Sequence, residues 1–346
     1  MFINNIEELK KYKKEIELLY SKFGKTYEQS YDSLYIKMSL NPLLKIIFDG
    51  KILFALKPKI DGVWQSEIES FPVLMDPKQS NNSYIIELLY NAMEQLKIDS
   101  VYFPLVYENS LAYKALCEVN CGVCKRLPTS IVLPENPKPE GHIDKLIKKN
   151  KYKFNKRKKM FEDNCVVKHF EVGTAKRYIQ DIENGSWKHQ YGMDMKQRNQ
   201  LDYYSKMIEN GKMDIVYAVE KCSGKPIAYR LDAIVNGIVY QVKTSYNKQF
   251  AKLTPGIYLN TINLFETYDG MGYNYIDLYG SPNTMKDEIE DCRINRFDLY
   301  FPSINKKCEE IMTERKSYDS KFLECYEKRL GIQNMWRENN DTWIKN

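Results

Sequence analysis

Alternating and periodic apolar positions define a series of elements in the second half of the chain. Alternating apolar residues predict strands, and apolar residues three or four positions apart predict helices. These patterns predict, in order, a strand at 166–171, helices at 174–184 and 196–209, strands at 213–220, 226–235 and 238–246, a helix at 255–268 and a strand at 273–280. The order is a strand, two helices, a three-stranded meander, a crossover helix and a final strand.

The first third of the chain shows a similar succession. A charged helix is predicted over residues 5–21 and a β-hairpin around Asp49-Gly50. Two pairs of a helix and a strand follow, at 82–95 with 100–105 and at 109–117 with 129–133. The proline-rich segment 134–141 predicts a linker. We therefore expect domains at 1–140 and 141–305, and a C-terminal helix and tail at 306–346.

Length and composition agree with a two-domain globular protein. The chain has 346 residues, of which 43% are hydrophobic and 28% charged. No apolar run reaches the roughly 18 residues of a membrane helix, so we expect no membrane partner. Eight cysteines are too few for a disulfide scaffold in a chain of this length. We expect a cytoplasmic protein.

The net charge of +6 arises from one segment. Residues 145–159 hold no acidic residue and nine basic ones, Lys145, Lys148, Lys149, Lys151, Lys153, Lys156, Arg157, Lys158 and Lys159. Without them, 43 basic residues remain against 46 acidic ones. The segment is either a solvated helix face, a nonspecific nucleic-acid contact, or a surface for the phosphates of coenzyme A, a carrier-protein arm or a tRNA. We favour a helix that attracts an anionic donor or acceptor.

Four short motifs carry a resemblance to a known family. They are Lys243-Thr244-Ser245-Tyr246, Leu253-Thr254-Pro255-Gly256, Asp277-Leu278-Tyr279-Gly280 and Lys286. With the element order, and the basic segment followed by Trp187-Lys188, they resemble the CelD-like (cellulose-biosynthesis) branch of the GNAT acyltransferases, a relative of the Fem-type peptidyltransferases. The resemblance covers most of residues 140–300. It implies a mixed α/β fold of tandem GNAT-like domains, with a mixed central sheet and helices on both faces. The Gln/Arg-rich loop ending in Gly-x-Gly, common in GNAT proteins, is absent.

The resemblance also implies an activity, N-acyl transfer without a metal or a permanently bound cofactor. The co-substrate would be a thioester, either an acyl-CoA such as acetyl-CoA or an acyl carrier protein, and the acceptor an amine of a small molecule or peptide. Two alternatives stay open: a Fem-type peptidyltransferase that uses aminoacyl-tRNA, and an inactive GNAT-like module that binds nucleic acid or a partner. A tRNA needs a wider basic surface than one helix, and the rest of the chain is slightly acidic.

Thr254-Pro255-Gly256 is the predicted donor-binding element. Thr254 suits an N-cap, Pro255 suits the first helical position, and Gly256 allows a close backbone approach. First-turn N–H groups, including that of Ile257, then form an anion site for a pyrophosphate. The alternative is that Thr254-Pro255-Gly256 only begins a helix and binds no donor. Lys243, in the preceding strand, is the fourth predicted donor contact.

The hairpin register predicts a polar face. A two-residue turn at Asn236-Gly237 pairs Asp232 with Gln241 and Arg230 with Lys243. These four residues share a face with Ser245, whereas Tyr229, Leu231, Ala233, Tyr240 and Val242 share the other. The polar face is either solvated or lines a cleft. Because the GNAT topology covers both faces with helices, we favour a cleft in which Arg230 and Gln241 contact substrate.

Acyl transfer to an amine requires a proton acceptor for the ammonium and a proton donor for the leaving thiolate. Asp232 or Asp277 is the candidate base, and Tyr246 or Tyr279 the candidate acid, with Asp277 and Tyr279 expected on one face of the last strand. A sheet that opens at its centre would offer a backbone N–H to the thioester carbonyl.

The acceptor is expected near Trp187, Lys188 and His189, between the two predicted helices, where GNAT proteins form part of the acceptor wall. His189 is either a surface residue or a base. Lys286 lies where the family carries a lysine near the substrate, although a surface role is the ordinary alternative for a lysine.

Three cysteines, Cys117, Cys121 and Cys124, have the C-x3-C-x2-C spacing of radical-SAM clusters. Such a motif follows a strand and carries an aromatic residue before its last cysteine, whereas a helix and Val123 occupy these places here. Zinc would need a fourth ligand, and none is near in sequence. We predict no metal site.

Overall fold

The computed structural model describes residues 1–76, 78, 82–119, 121–134, 141–169, 171, 173–283 and 285–330, without the side chains of 318, 319 and 321–330. Residues 135–140 of the predicted linker and 331–346 of the predicted tail lie outside the described residues.

The first part of the chain contains seven strands and five helices among the described residues. In chain order they are β1 (Phe2–Ile3), α1 (Ile6–Lys11), α2 (Lys13–Phe23), α3 (Tyr31–Leu40), β2 (Lys45–Phe48), β3 (Ile52–Ile60), β4 (Val63–Ser66), β5 (Leu74–Met75), α4 (Asn82–Leu96), β6 (Ser100–Tyr107), α5 (Leu111–Glu118) and β7 (Gly122–Val132). The predicted helix at 5–21 is wrong as a single element, because the chain leaves helical geometry at Tyr12 between α1 and α2.

The second part begins with the basic helix. It contains α6 (His142–Asn164), β8 (Cys165–His169), α7 (Ala175–Asn184), α8 (Trp187–Gln190), α9 (Leu201–Glu209), β9 (Asp214–Glu220), β10 (Pro226–Val235), β11 (Ile238–Tyr246), α10 (Pro255–Asn260), α11 (Ile262–Tyr268), β12 (Tyr275–Asp277), β13 (Cys292–Phe301) and α12 (Lys306–Leu330). The predicted order of strand, helices, meander, crossover and strand is confirmed. The crossover predicted as one helix at 255–268 is two helices, α10 and α11, because Thr261 leaves helical geometry. The short α8 and the strand β13 are additions to the predicted order.

Two compact units divide the chain. The first comprises residues 1–31, 41–127 and 295–346, and the second residues 32–40 and 128–294. The predicted boundaries at 140 and 305 stay predictions for independently folding domains. Helix α12 lies in the segment predicted as a C-terminal helix and tail, and it groups with the first unit.

Each unit is built on a mixed sheet. In the first unit the strand order is β1-β2-β3-β4-β6-β13, with β5 beside β3, and only β4 and β6 run parallel among these pairs. In the second unit it is β7-β12-β11-β10-β9-β8, and only β11 and β12 run parallel among these pairs. The mixed α/β fold class is confirmed.

Helices cover both faces of the second sheet. On one face, Phe154 and Phe161 of α6 and Tyr258 of α10 pack on alanines and valines of β9 and β10, forming a buried core. On the other, α7 and α9 pack together, and α7 also contacts β10 and β11. The apolar periodicity of these helices therefore reflects burial against the sheet.

The hairpin of β10 and β11 has the predicted turn but a different register. Asn236 and Gly237 have φ of 46° and 78°, as the two-residue turn requires. Asp232 pairs with Gln241 as predicted, but a β-bulge follows, and Arg230 pairs with Thr244 instead of Lys243. The predicted pairing of Arg230 with Lys243 is wrong, because a bulge adds one residue to β11 and reverses its faces beyond that point.

Candidate active site

The end of β11 is the point where several polar elements of the second unit meet. The Lys188 ammonium on α8 donates to the carbonyl oxygen of Thr244 at 2.5 Å. The Lys248 backbone N–H, just beyond β11, donates to the Gly185 carbonyl at 2.9 Å. A Cβ on Gly185 would lie 2.3 Å from the Asn247 side chain, so glycine permits this approach. These contacts fix α8 beside the last residues of β11.

One edge of β11 opens near the same place. β11 and β12 pair in parallel at three positions, ending with Tyr240 opposite Asp277. β12 ends there, whereas β11 continues to Tyr246. Within the described part of the chain, no strand pairs with residues 241–246 on that side. Backbone groups on such an edge can bind a ligand as they would bind a strand.

The predicted donor element begins at this edge but differs in detail. Thr254 is the N-cap residue and Pro255 begins the helix, as predicted, but Thr254 has a left-handed φ of 54° and its side chain makes no capping hydrogen bond. A Cβ on Gly256 would lie 2.9 Å from the Tyr246 ring, which explains the glycine by packing. Asn260 donates to the Thr244 hydroxyl at 2.9 Å and ties α10 to β11. Thr254, Gly256 and Ile257 stay predicted donor contacts.

Lys243 faces away from the polar cluster that was predicted to include it. Because of the bulge, its ammonium lies over the Tyr204 ring of α9, 5.5 Å from the ring centroid. Ser245 pairs with Tyr229 and not with the Arg230 side of the sheet, so its predicted face is wrong too. Gln241 keeps its predicted face and donates to the Asn260 side chain at 3.2 Å.

Arg230 and Asp232 form a sealed ion pair. The Arg230 Nε donates to Asp232 Oδ2 at 2.7 Å, and Tyr268 donates to the same oxygen at 3.0 Å. Arg230 also donates to the Leu259 carbonyl and to Asn263, so it joins the sheet to α10 and α11. Both members of the pair are fully buried. Burial raises the pKa of Asp232, while the Arg230 charge opposes the rise.

The burial of Asp232 and Arg230 argues against their predicted roles as base and substrate contact. A base for an incoming amine must lie within hydrogen-bond reach of it. Asp232 is 2% exposed and Arg230 0%. The geometry favours a structural role for both, in which the pair fixes the crossover helices to the sheet.

Asp277 lies in a second buried network. It accepts hydrogen bonds from the Thr129 hydroxyl at 2.7 Å and from the Tyr279 backbone N–H at 2.9 Å. The predicted strand at 273–280 is too long, because Tyr279 adopts a φ of 34°. Asp277 and Tyr279 therefore do not alternate along one strand face. Lys286 donates to the Tyr279 carbonyl at 2.9 Å and stabilises this turn.

His189 forms a dyad with a carboxylate that sequence reasoning did not select. Its Nδ1 lies 2.9 Å from Asp194 Oδ2, and the Gln197 backbone N–H donates to Asp194 Oδ1 at 2.8 Å. Because a carboxylate only accepts, this contact places a proton on Nδ1, and in the neutral imidazole Nε2 then carries the lone pair. The Asp194 side chain is 3% exposed and that of His189 46%. The structure thus contains an imidazole that is positioned by a buried carboxylate and is itself about half exposed.

The buried carboxylate of Glu183 connects β10 to the segment that carries Lys188 and Asp194. It accepts hydrogen bonds from the Tyr229 hydroxyl and the Met195 backbone N–H, each at 2.6 Å. Its carboxylate lies 3.8 Å from the Lys188 ammonium. Burial lowers the pKa of Lys188, and the charge of Glu183 opposes the change. Trp187 lies beside Tyr191, with ring centroids 6.4 Å apart.

Sequence reasoning missed both buried carboxylates, Glu183 and Asp194. The available signal was local: Asp194 follows His189 by five residues, across a glycine that lets the chain turn back. Gly192 has a φ of 71°, and the Met193 N–H donates to the Lys188 carbonyl at 2.8 Å.

The cysteine triplet is not one site. Cys117 and Cys121 are hydrogen-bonded to each other, whereas Cys124 packs with Tyr102 and Tyr300 in a different cluster. The hydrogen bond from Cys121 lowers the pKa of Cys117 to about 7. Among the described residues, no three histidine, cysteine or acidic side chains are grouped as a metal site. No described helix is long and apolar enough to span a membrane.

Proteins of known structure share this fold at low sequence identity. The C-terminal domain assigned to a lysylphosphatidylglycerol synthetase of Agrobacterium fabrum has a TM-score of 0.62 and 8% identity, over 89% of this chain and 96% of that domain. L-PGS of Bacillus licheniformis has a TM-score of 0.58 and 12% identity, over 87% of this chain and 96% of that one. FemX has a TM-score of 0.56 and 11% identity, over 83% and 95%.

These similarities extend over both units and show the fold. The expected relation to Fem-type proteins is confirmed at the level of the fold, and the CelD-like branch stays a prediction. No family model and no curated protein sequence matches the chain.

Proposed function

We propose that the second unit transfers an acyl group from a thioester to an amine. The observation that supports this proposal is the dyad of His189, on α8, with Asp194. The contact of Lys188 with Thr244 holds α8 beside the part of β11 that extends beyond β12. A thioester carbonyl along that edge can accept a backbone N–H, while an amine approaches from α8. Neighbouring elements would then supply a hydrogen bond to the thioester carbonyl and a proton acceptor for the amine.

In the proposed reaction, His189 Nε2 accepts a proton from the ammonium of the acceptor. The free amine attacks the thioester carbonyl, the carbon–nitrogen bond forms, and the carbon–sulfur bond breaks with its electron pair on sulfur. Asp194 holds the imidazole in the required tautomer and stabilises the imidazolium. Tyr246, at the end of β11, is the proposed proton donor to the leaving thiolate, and its phenolate then takes the second proton from the nitrogen, which leaves a neutral amide.

The donor is proposed to be an acyl-CoA, such as acetyl-CoA, or an acyl carrier protein. Fold similarity to FemX and to proteins named for lysylphosphatidylglycerol synthesis supports a second candidate, aminoacyl transfer from tRNA. The two candidates share the dyad and differ in the leaving group, which is a thiolate in one and a ribose hydroxyl in the other.

A turnover assay tests the proposal. Free thiol released from acetyl-CoA is followed with a panel of primary amines, using the unaltered protein, His189→Gln and the control His169→Gln. His169 is also exposed, but it lies on β8. We expect His189→Gln to lower kcat about 100-fold with little change in the KM for acetyl-CoA.

Equal turnover by His189→Gln and the control would contradict the role of the dyad. A parallel arm supplies aminoacyl-tRNA and measures transfer of the aminoacyl group. Transfer from tRNA, together with no thiol release from acetyl-CoA or an acetyl-loaded carrier protein, would replace the thioester proposal by the second candidate.

A further inference from the structure

Helix α6 has two basic sides with different surroundings. On the inner side, Arg157 donates to Glu288 at 2.7 Å and Lys153 contacts the same carboxylate. Burial opposes ionisation of Glu288, but these hydrogen bonds still hold its pKa below the ordinary value. Lys149 donates to the Asp287 and Glu288 carbonyls at 3.4 and 3.2 Å. Part of the basic segment is therefore structural.

The outer side carries a separate row of cations. Asn150 breaks the helical geometry, with φ of −163° and ψ of 85°, and a regular helix follows it. Lys151, Tyr152, Lys156 and Lys159 are exposed. Tyr152, Lys156 and Lys159 are three or four residues apart and share one face, and Lys151 lies at the edge of that face. We call these four residues the basic stripe. Within the described part of the chain, its three lysines make no ion pair, and Tyr152 is 77% exposed.

The composition of the stripe indicates the chemistry of its partner. It holds three lysines and no arginine, while the one arginine of α6 points to Glu288. Lysine acts as a hydrated point charge, which attracts anionic groups without requiring the bidentate geometry of arginine. An exposed tyrosine among the lysines adds the kind of anchor found in protein interfaces. The exposed tyrosine favours a protein partner, whose anionic groups are carboxylates.

The extent of the stripe agrees with a small partner. From Lys151 to Lys159 the helix rises about 12 Å, which is about two turns of a facing helix. Outside residues 145–159 the chain has 43 basic and 46 acidic residues, so the rest of the chain adds no net positive charge to attract a long polyanion. Attraction is local, because ions screen charges beyond about 8 Å at physiological salt.

We propose that the basic stripe docks an acidic helix of a protein that carries the acyl group as a thioester. Lysine charges steer the acidic helix onto α6, and Tyr152 packs between the two helices. This inference rests on the proposed acyl transfer in one respect, namely that the docked carrier protein is the acyl donor. Docking itself is measurable without turnover.

The experiment measures binding and turnover separately. Binding of an acetyl-loaded acyl carrier protein is titrated at about 50 and 200 mM salt, with bulk tRNA as a second probe. The test variant combines Lys151→Glu, Lys156→Glu and Lys159→Glu. The control combines Lys168→Glu, Lys206→Glu and Lys225→Glu, three exposed lysines elsewhere in the second unit, so that both variants have the same net charge.

We expect the test variant to bind the carrier protein at least 10-fold more weakly and the control to bind it within about 2-fold of the unaltered protein. Tyr152→Ala should weaken binding several-fold. With acetyl-CoA as donor, both triple variants should keep their turnover. Failure of acyl transfer in every arm would remove the proposed function but leave the binding result standing. Absence of carrier-protein binding, equal loss in both variants, or binding of tRNA alone would overturn the docking proposal.

Discussion

Two carboxylates of the second unit pair with basic side chains and have opposite surroundings. Asp232 pairs with Arg230 under α10 and α11, and both side chains are sealed from solvent. Asp194 is equally buried, but its partner His189 is half-exposed. In the first pair, both charges compensate each other inside the core. In the second, the buried carboxylate directs an accessible imidazole. Exposure of the basic partner is therefore what separates the candidate site from the structural pair.

Removing the sealed carboxylate of Asp232 should cause the largest loss of stability. We expect Asp232→Ala to lower the free energy of unfolding by about 3–5 kcal/mol, because it leaves the Arg230 charge buried without its partner. Urea unfolding monitored by circular dichroism measures this loss. Normal stability combined with a 100-fold loss of turnover would instead make Asp232 the catalytic base.

Altering the carboxylate of the open pair should mainly change turnover. We expect Asp194→Asn to lower kcat about 10- to 100-fold, or about 1.4–2.7 kcal/mol in the barrier, because the amide donates to Nδ1 and favours the wrong tautomer. Steady-state turnover with acetyl-CoA measures the effect, and Asp202→Asn, an exposed residue of α9, is the matched control. Unchanged turnover would show that Asp194 does not direct the imidazole.

Removing the hydrogen bond between Tyr229 and Glu183, next to the open pair, should lower the stability by a smaller amount. Tyr229→Phe removes the 2.6 Å hydrogen bond to Glu183 but leaves that carboxylate its contacts with Met195 and Lys188. We expect a loss of about 1 kcal/mol in the free energy of unfolding. A loss comparable to that of Asp232→Ala would mean that the Glu183 network is as essential to the fold as the sealed pair.

The same contrast between sealed and open groups applies to the thiols of the first unit. Cys117 is exposed with a pKa of about 7, whereas burial raises the pKa of Cys124 to about 11. Because the thiolate is the nucleophile, alkylation of Cys117 by iodoacetamide should rise through a midpoint near pH 7. Peptide mass spectrometry separates the two sites. A midpoint near pH 9 would show that the contact with Cys121 does not stabilise the thiolate.

Much of the second unit could be predicted from the chain because its signals are local. The turn at Asn236-Gly237 needs only two residues that tolerate positive φ. The meander and crossover helix follow from apolar periodicity. Beyond the turn the prediction failed within five residues, because a bulge depends on how both sides of a strand pack, and a one-residue shift moves every later side chain to the other face.

The candidate site was predictable only in part. Trp187, Lys188 and His189 were selected near the acceptor, and the structure places them on α8 beside β11. Asp194 was missed because its importance depends on a turn that returns it to His189. Asp232 and Asp277 were selected as bases from residue type and face, and nothing in the sequence reports that each is sealed in a hydrogen-bond network.

By itself, the sequence determined the order of elements, the hairpin turn and the concentration of positive charge in residues 145–159, because each depends on near neighbours in the chain. Tertiary structure decided the register beyond the bulge and the division of α6 into a paired and an unpaired side. It also decided which carboxylate directs an accessible imidazole. The physical reason is that burial, charge pairing and proton location depend on groups that are distant in sequence and meet only on folding.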